Sequence, residues 1–143
     1  MKIKIITTVE ASVSTVKSGF TEELFLSLNP PFPPVKLLRF DGCEKGDTVS
    51  LELNFIFFKQ KWTSDITEAG ETSDQWYFID EGVQLPFFLK TWKHRHVVEK
   101  HGDGSKIVDD IAYSTGTMLT DLLMYPVLYV QFLYRKPVYK KYF

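Results

Sequence analysis

The sequence lacks the residues that mark several common classes of protein. Cys43 is the only cysteine in 143 residues, so no disulfide framework can form and a reducing compartment suits the composition. Lysine and arginine together number 17 against 18 acidic residues, a net charge of −1. Because phosphate binding needs a clustered basic face, this balance argues against a nucleic-acid partner.

Long apolar runs are also missing. The most apolar stretch, residues 122–134, contains Pro126 and Gln131 and is shorter than the roughly 20 residues that span a bilayer. The residues after Met1 have neither the apolar core nor the cleavage site of a signal peptide. We therefore expect one soluble, cytoplasmic domain over residues 1–143, a monomer or homodimer with no membrane insertion.

Aromatic residues are abundant instead. The chain has 12 phenylalanines, 7 tyrosines and 3 tryptophans, or 15% of its residues. So many large rings in a chain that can bury only one core indicate either a bulky interior or the wall of an apolar cavity.

Hydrophobic periodicity and turn residues predict the order of the secondary structure. Strands are expected over residues 2–9, 35–40, 48–58, 61–68, 75–80, 88–100 and 105–114. Two short helices are expected over 12–18 and 21–28, followed by a proline-rich connector at 29–34 and a final helix over 118–142. Thr21 and Thr117 are expected to cap two of these helices. Pro126 and Pro137 should kink or break the last helix.

This order predicts an α+β fold with one antiparallel sheet. Neighbouring strands are joined by turns too short for crossover connections. The final helix is apolar nearly all round, so we expect it to be heavily buried across the concave face of the sheet. A curled sheet around one helix leaves space that the aromatic residues would line.

The motif T-W-K-H-R-H-V-V at 91–98 contains two of the three histidines. Strand alternation puts Trp92, His94 and His96 on the inner face and Lys93 and Arg95 on the outer face. A turn at Asp103-Gly104 pairs His94 with Tyr113 and His96 with Ile111. Asp109 then lies diagonally from His96, within reach of its ring, while Asp80 shares the inner face of the preceding strand with Phe78 and Trp76.

Three interpretations of these polar residues remain open. They can form a hydrogen-bonded structural network, the polar floor of an apolar ligand pocket, or a site for acid–base chemistry or a metal. Two histidines and one carboxylate can form a facial triad, but no further histidine or cysteine is near in sequence and His101 falls in the turn. We expect no metal and no cofactor.

Five short motifs in order resemble those of the START/Bet v1-like (SRPBCC) superfamily, in particular its small bacterial ligand-binding branch. They are Phe78-Ile79-Asp80-Glu81, Leu85-Pro86-Phe87, Trp92-x-His94-x-His96, Asp109-x-x-x-Tyr113 and Phe132-Leu133-Tyr134-Arg135. Gly82, Leu85 and Val98 depart from the residues usual in that branch. The resemblance implies a helix-grip fold, a seven-stranded antiparallel sheet wrapped around a long C-terminal helix and enclosing a cavity.

The function that this resemblance favours is binding of a small, mostly apolar molecule that is lipid-, polyketide- or aromatic-like. The expected ligand-binding residues are Trp62, Phe78, Asp80, Trp92, His94, His96, Asp109, Tyr113, Tyr134 and Arg135. Arg135 has an alternative role as the ion-pair partner of Asp80 or Asp109. The rival function is a polyketide cyclase or hydrolase in which Asp109 orients His96 as a general base. Cys43 is expected in a turn far from the histidines.

Overall fold

The structure, a computed structural model, describes residues 1–143. Its strands are β1 (Lys2–Val9), β2 (Val35–Phe40), β3 (Thr48–Asn54), β4 (Lys59–Glu71), β5 (Gln75–Gln84), β6 (Thr91–His101) and β7 (Gly104–Ser114). Its helices are α1 (Val13–Gly19), α2 (Glu22–Ser27), α3 (Met118–Leu133) and α4 (Arg135–Tyr142). None of the helices is both long and apolar enough to cross a bilayer.

The seven strands form one sheet in the order β1-β7-β6-β5-β4-β3-β2, and every neighbouring pair is antiparallel. The two short helices and the proline-rich connector separate β1 from β2, so these two strands lie at opposite edges. The predicted α+β helix-grip architecture is confirmed.

Three helices begin where a hydroxyl side chain can accept a free backbone N–H. The side-chain oxygens of Ser12, Thr21 and Thr117 accept from the third residue of α1, α2 and α3 respectively. Both caps predicted from the sequence, Thr21 and Thr117, are therefore confirmed.

Several strand boundaries differ from the prediction. β4 is longer at both ends than the predicted 61–68, and β5 continues to Gln84 instead of ending at residue 80. β3 ends at Asn54 rather than Phe58, because the Asn54 side chain accepts from the N–H of Ile56 and the N–H of Phe55 bonds the carbonyl of Phe58. This turn leaves Phe57 94% exposed. β6 begins at Thr91 and not at residue 88.

The predicted register of the β6–β7 hairpin is wrong by two residues. His101 pairs with Gly104, and Gly102 adopts a φ of 58°, so the turn lies at Gly102-Asp103. Gly104 is then the first strand residue, where an added Cβ would lie 2.2 Å from the Val9 carbonyl oxygen. A shift of two preserves which face each side chain occupies, whereas a shift of one would reverse it.

The C-terminal segment agrees with the predicted break at Pro137 and differs from the prediction in its burial. It is divided into α3 and α4 at Tyr134, one turn before Pro137. Since Pro137 cannot donate to the carbonyl of Leu133, the first helix ends there. The prediction of heavy burial is wrong, because only Leu128 and Phe132 of α3 are buried.

The core has two apolar clusters under the concave face. One joins α1, α2 and α4 to the middle of the sheet and includes Trp76, Phe78 and Tyr139. The other joins α3 to β1, β6 and β7 and includes Trp92 and Phe132.

Candidate functional site

The polar candidates of β6 face inward, as strand alternation predicts. His94 and His96 are 2% and 7% exposed. The ring of His96 stacks on Phe78, with centroids 4.1 Å apart, and His94 meets Phe132 edge-on at 5.2 Å. The two imidazoles therefore join the two core clusters, and they stack on each other with centroids 3.5 Å apart.

The hydrogen bonds of the two histidines run diagonally across the sheet. Asp80 is opposite His94, and Asp109 is opposite His96. Yet His96 Nε2 lies 2.7 Å from Asp80 Oδ2, and His94 Nε2 lies 2.9 Å from Asp109 Oδ1. The nearest approach of Asp109 to His96 is 3.9 Å, to Nδ1. The expected His96–Asp109 pair is thus replaced by two others, because the true register lies two residues from the predicted one.

Each carboxylate has a second anchor. Arg135 Nη1 donates to Asp109 Oδ1 at 3.2 Å, and its guanidinium lies 4.3 Å from the ring centroid of Phe132. Trp92 Nε1 donates to Asp80 Oδ1 at 3.1 Å. Arg135 therefore forms an ion pair with Asp109, which is one of the two roles that the sequence allows for it.

The electrostatics of the network keep both carboxylates ionised. Burial acts to raise the pKa of Asp109, but Arg135 and the two imidazoles outweigh it and hold that pKa at about 2. Burial also opposes ionisation of Asp80, yet its hydrogen bond with His96 and the proximity of His94 and Arg135 lower its pKa. For His96, burial dominates and lowers the pKa to about 4, so this imidazole is neutral at pH 7.

A cavity of about 210 Å³ lies between the concave face and α3. Of its 31 lining residues, 20 are hydrophobic, so its wall is mainly apolar. Leu128 and Phe132 of α3 form part of one wall, while Asp80, His96 and Arg135 contribute polar groups. An apolar space with a few convergent polar groups is the usual form of a small-molecule site.

The structure brings seven of the ten predicted residues to this cavity. They are Trp62, Phe78, Asp80, Trp92, His94, His96 and Arg135. The other three do not line it. Asp109 lies behind the histidines, the Tyr113 hydroxyl donates to the carbonyl of Asp121 at 2.7 Å, and Tyr134 is 40% exposed at the junction of α3 and α4.

Several lining residues could not be found from sequence spacing. Cys43, expected far from the histidines, lies in the β2–β3 connection and lines the same cavity. Burial raises its pKa to about 12, which makes the thiol a poor nucleophile. Pro30 and Pro33 of the connector and Ser64 of β4 also line the cavity. Alternation on β4 could have indicated Ser64, two residues from Trp62.

One donor atom each from Asp80, His94 and His96 lies within 4.8 Å of the others. This is the spacing of a three-ligand metal site. However, the same atoms already bind each other, since the shortest contact among them is the 2.7 Å bond between His96 and Asp80.

Neither a family model nor a curated protein matches this chain. Solved structures do. Protein Ms6760 from Mycobacterium smegmatis is 15% identical with a TM-score of 0.68, covering 98% of this chain and 88% of that one. The Zhui aromatase/cyclase from Streptomyces sp. R1128 is 12% identical with a TM-score of 0.69, covering 96% and 90%. Norcoclaurine synthase from Thalictrum flavum is 11% identical with a TM-score of 0.62, covering 96% and 93%.

These similarities extend over nearly the whole of each chain. They confirm the helix-grip fold that the resemblance to START/Bet v1-like (SRPBCC) proteins implied. At identities of 11–15%, these similarities establish only the fold. The function has to be argued from the site itself.

Proposed function

We propose that the protein binds a small, mostly apolar molecule in the cavity beneath α3. The observation that carries the proposal is a cavity lined mainly by hydrophobic residues, to which the hydrogen-bonded pair Asp80 and His96, together with Arg135, contributes polar groups. A ligand whose body is apolar and whose one end carries a hydroxyl or carboxyl group matches this division.

The volume limits the ligand. About 210 Å³ is below the roughly 300 Å³ at which drug-sized pockets begin. A compact aromatic or polyketide-like molecule therefore fits this cavity better than a long acyl chain. We place the activity in the cytoplasm, since the lone Cys43 suits a reducing compartment.

The rival proposal is an enzyme of the aromatase/cyclase type, the activity named for one of the similar structures. It requires an imidazole nitrogen that can reach a substrate proton while its other nitrogen is held by a carboxylate. His96 has such a carboxylate in Asp80, not in Asp109. Its Nδ1 is buried without a partner and is free to accept from a ligand hydroxyl. However, the pKa of about 4 makes this imidazole a weak general base at pH 7. These properties favour binding over catalysis.

The proposal is tested by filling the cavity. Ser64→Phe introduces a ring into the lining, while Thr67→Phe adds the same ring at an exposed position of the same strand. Uptake of the apolar fluorophore 1-anilinonaphthalene-8-sulfonate should be saturable in the wild-type protein, at least tenfold weaker in Ser64→Phe, and unchanged in Thr67→Phe. Equal uptake by all three folded proteins would contradict binding in this cavity.

A further inference from the structure

The outer face of α3 is an apolar stripe exposed to solvent. Leu119, Leu123 and Val130 are 68%, 65% and 63% exposed, and Leu133 is 40% exposed. Pro126 is exposed between them. A contiguous apolar surface of this kind on a monomer marks a site of interaction.

The spacing of these five residues is 4, 3, 4 and 3. That is the a/d repeat of a coiled-coil seam, in which one helix packs against another. The opposite side of α3 carries Leu128 and Phe132, which are buried against the protein's own sheet. The helix is therefore apolar on two sides. One side packs against the protein's own sheet, and the other faces solvent.

The stripe has no charge. Asp121 is the only ionisable acid or base from residue 118 to 133 apart from tyrosine, and its carboxylate accepts from the N–H and hydroxyl of Thr115. Absence of charge is typical of the core of a protein–protein interface. A helix that binds an anionic membrane surface instead carries lysine or arginine beside its apolar face, and α3 has none.

We propose that α3 is a dimerisation helix that packs antiparallel against α3 of a second copy of this chain. An apolar stripe is complementary to itself under twofold symmetry, which is the commonest symmetry of homodimers. The stripe from Leu119 to Leu133 is centred on Pro126, so the twofold axis passes next to Pro126. Leu119 of one copy then lies opposite Leu133 of the other.

The apolar face of α3 extends along the whole helix, which at 16 residues is about 24 Å long. Beyond the five seam residues, Met118, Leu122 and Val127 are 77%, 55% and 50% exposed along its flanks. At roughly 100 Å² of exposed surface for each of these eight side chains, the face approaches the roughly 800 Å² that a standard interface takes from each partner.

Analytical ultracentrifugation of the full chain tests the proposal. The wild-type protein should sediment as a dimer at micromolar concentration, and Leu123→Glu should raise the dimer dissociation constant at least a hundredfold. Val83→Glu is the matched control, because Val83 is 60% exposed on β5 and lies outside the seam; it should leave the dimer intact. A monomeric wild-type protein, or a dimer that Leu123→Glu does not weaken, overturns the proposal.

Cross-linking tests the antiparallel arrangement. In a Cys43→Ala background, oxidised Pro126→Cys should form a covalent dimer, whereas Leu119→Cys should not, since Leu119 lies far from its own copy across the axis. Cross-linking of Leu119→Cys alone would overturn the arrangement. A wild-type monomer that floats with phosphatidylglycerol vesicles and loses this in Leu123→Glu would assign the stripe to a lipid surface instead.

Discussion

His96 Nε2 lies 2.7 Å from Asp80 Oδ2, although Phe78 and not Asp80 is the residue directly opposite His96 on β5. The contact is diagonal, and so is the 2.9 Å contact between His94 and Asp109. The residues directly opposite each other on β5 and β6 are Phe78 and His96, whose rings stack. The two histidines of β6 are thus hydrogen-bonded to the strands on both sides, β5 and β7. These bonds hold the imidazoles in a fixed arrangement beside the cavity.

Substituting His96→Leu should reduce the free energy of unfolding by roughly 1–3 kcal/mol, because the buried carboxylate of Asp80 loses one of its hydrogen-bond partners. Denaturant unfolding at pH 7 measures the change. Lys93→Ala and Arg95→Ala on the outer face of the same strand should each change it by less than about 0.5 kcal/mol. Larger losses in the outer-face variants than in His96→Leu would show that the facing of β6 is reversed.

The Asp109–Arg135 pair should show strong coupling. Asp109→Asn keeps an oxygen acceptor for His94 but removes the negative charge beside the guanidinium, and Arg135→Met leaves the buried carboxylate without its cation while His94 still bonds it. Each single change should cost roughly 3–5 kcal/mol, and the double variant should cost less than their sum by about 1–3 kcal/mol. The exposed pair Lys93–Glu81, at 3.9 Å, is the control and should give a coupling energy near zero. Additive losses at Asp109 and Arg135 would contradict a direct pair.

The faces of the strands could be predicted from the sequence because alternation depends only on local geometry. Trp92, His94 and His96 accordingly face inward. Which carboxylate each histidine meets could not be predicted, since it depends on where the hairpin turns. Asp103-Gly104 and Gly102-Asp103 are both good turn sequences, and the close approach of Gly104 to β1 distinguishes them only once β1 is paired with β7.

The packing of segments that are distant in the sequence could not be predicted either. Cys43 lines the cavity from the β2–β3 connection, and hydrophobic periodicity does not indicate the path of a connection. α3 is less buried than its apolar sequence predicts, because only one of its two apolar sides packs within the chain. The break at Tyr134, by contrast, follows from the backbone chemistry of Pro137.

The stability of the protein should fall as the pH is lowered below about 6.5. The pKa of His96 is about 4 in the folded protein, against about 6.5 in an unfolded chain. Between these values the unfolded chain binds a proton that the folded protein does not, so the free energy of unfolding decreases with falling pH. Between pH 6.5 and pH 4, this difference in pKa lowers the free energy of unfolding by on the order of 3 kcal/mol. Asp109, with a pKa of about 2, extends the loss below pH 4.

Denaturant unfolding at several pH values measures this dependence. His96→Leu should flatten the slope between pH 6.5 and 4. His101→Gln, at the exposed end of β6, should retain it. An equally steep slope in His96→Leu would assign the titration to another group.

We expect no transition metal at Asp80, His94 and His96. The three donor atoms are close, but a metal would have to break the His96–Asp80 bond and add positive charge near the buried Arg135. Elemental analysis of protein purified without a polyhistidine tag should find less than 0.1 equivalent of zinc, iron, copper or nickel. A stoichiometric metal that is lost in the His94→Leu/His96→Leu variant would contradict this expectation.

The central claim is that the cavity binds an apolar molecule and that its polar residues hold one end. Calorimetric titration with naphthalene and with 1-naphthol, into the wild-type protein and His96→Leu, measures both parts of the claim. Both probes should bind the wild-type protein at one site, with 1-naphthol preferred by roughly tenfold, about the free energy of one hydrogen bond. His96→Leu should bind both probes equally. Absence of saturable binding by either probe, or an undiminished preference for 1-naphthol in His96→Leu, would contradict the account.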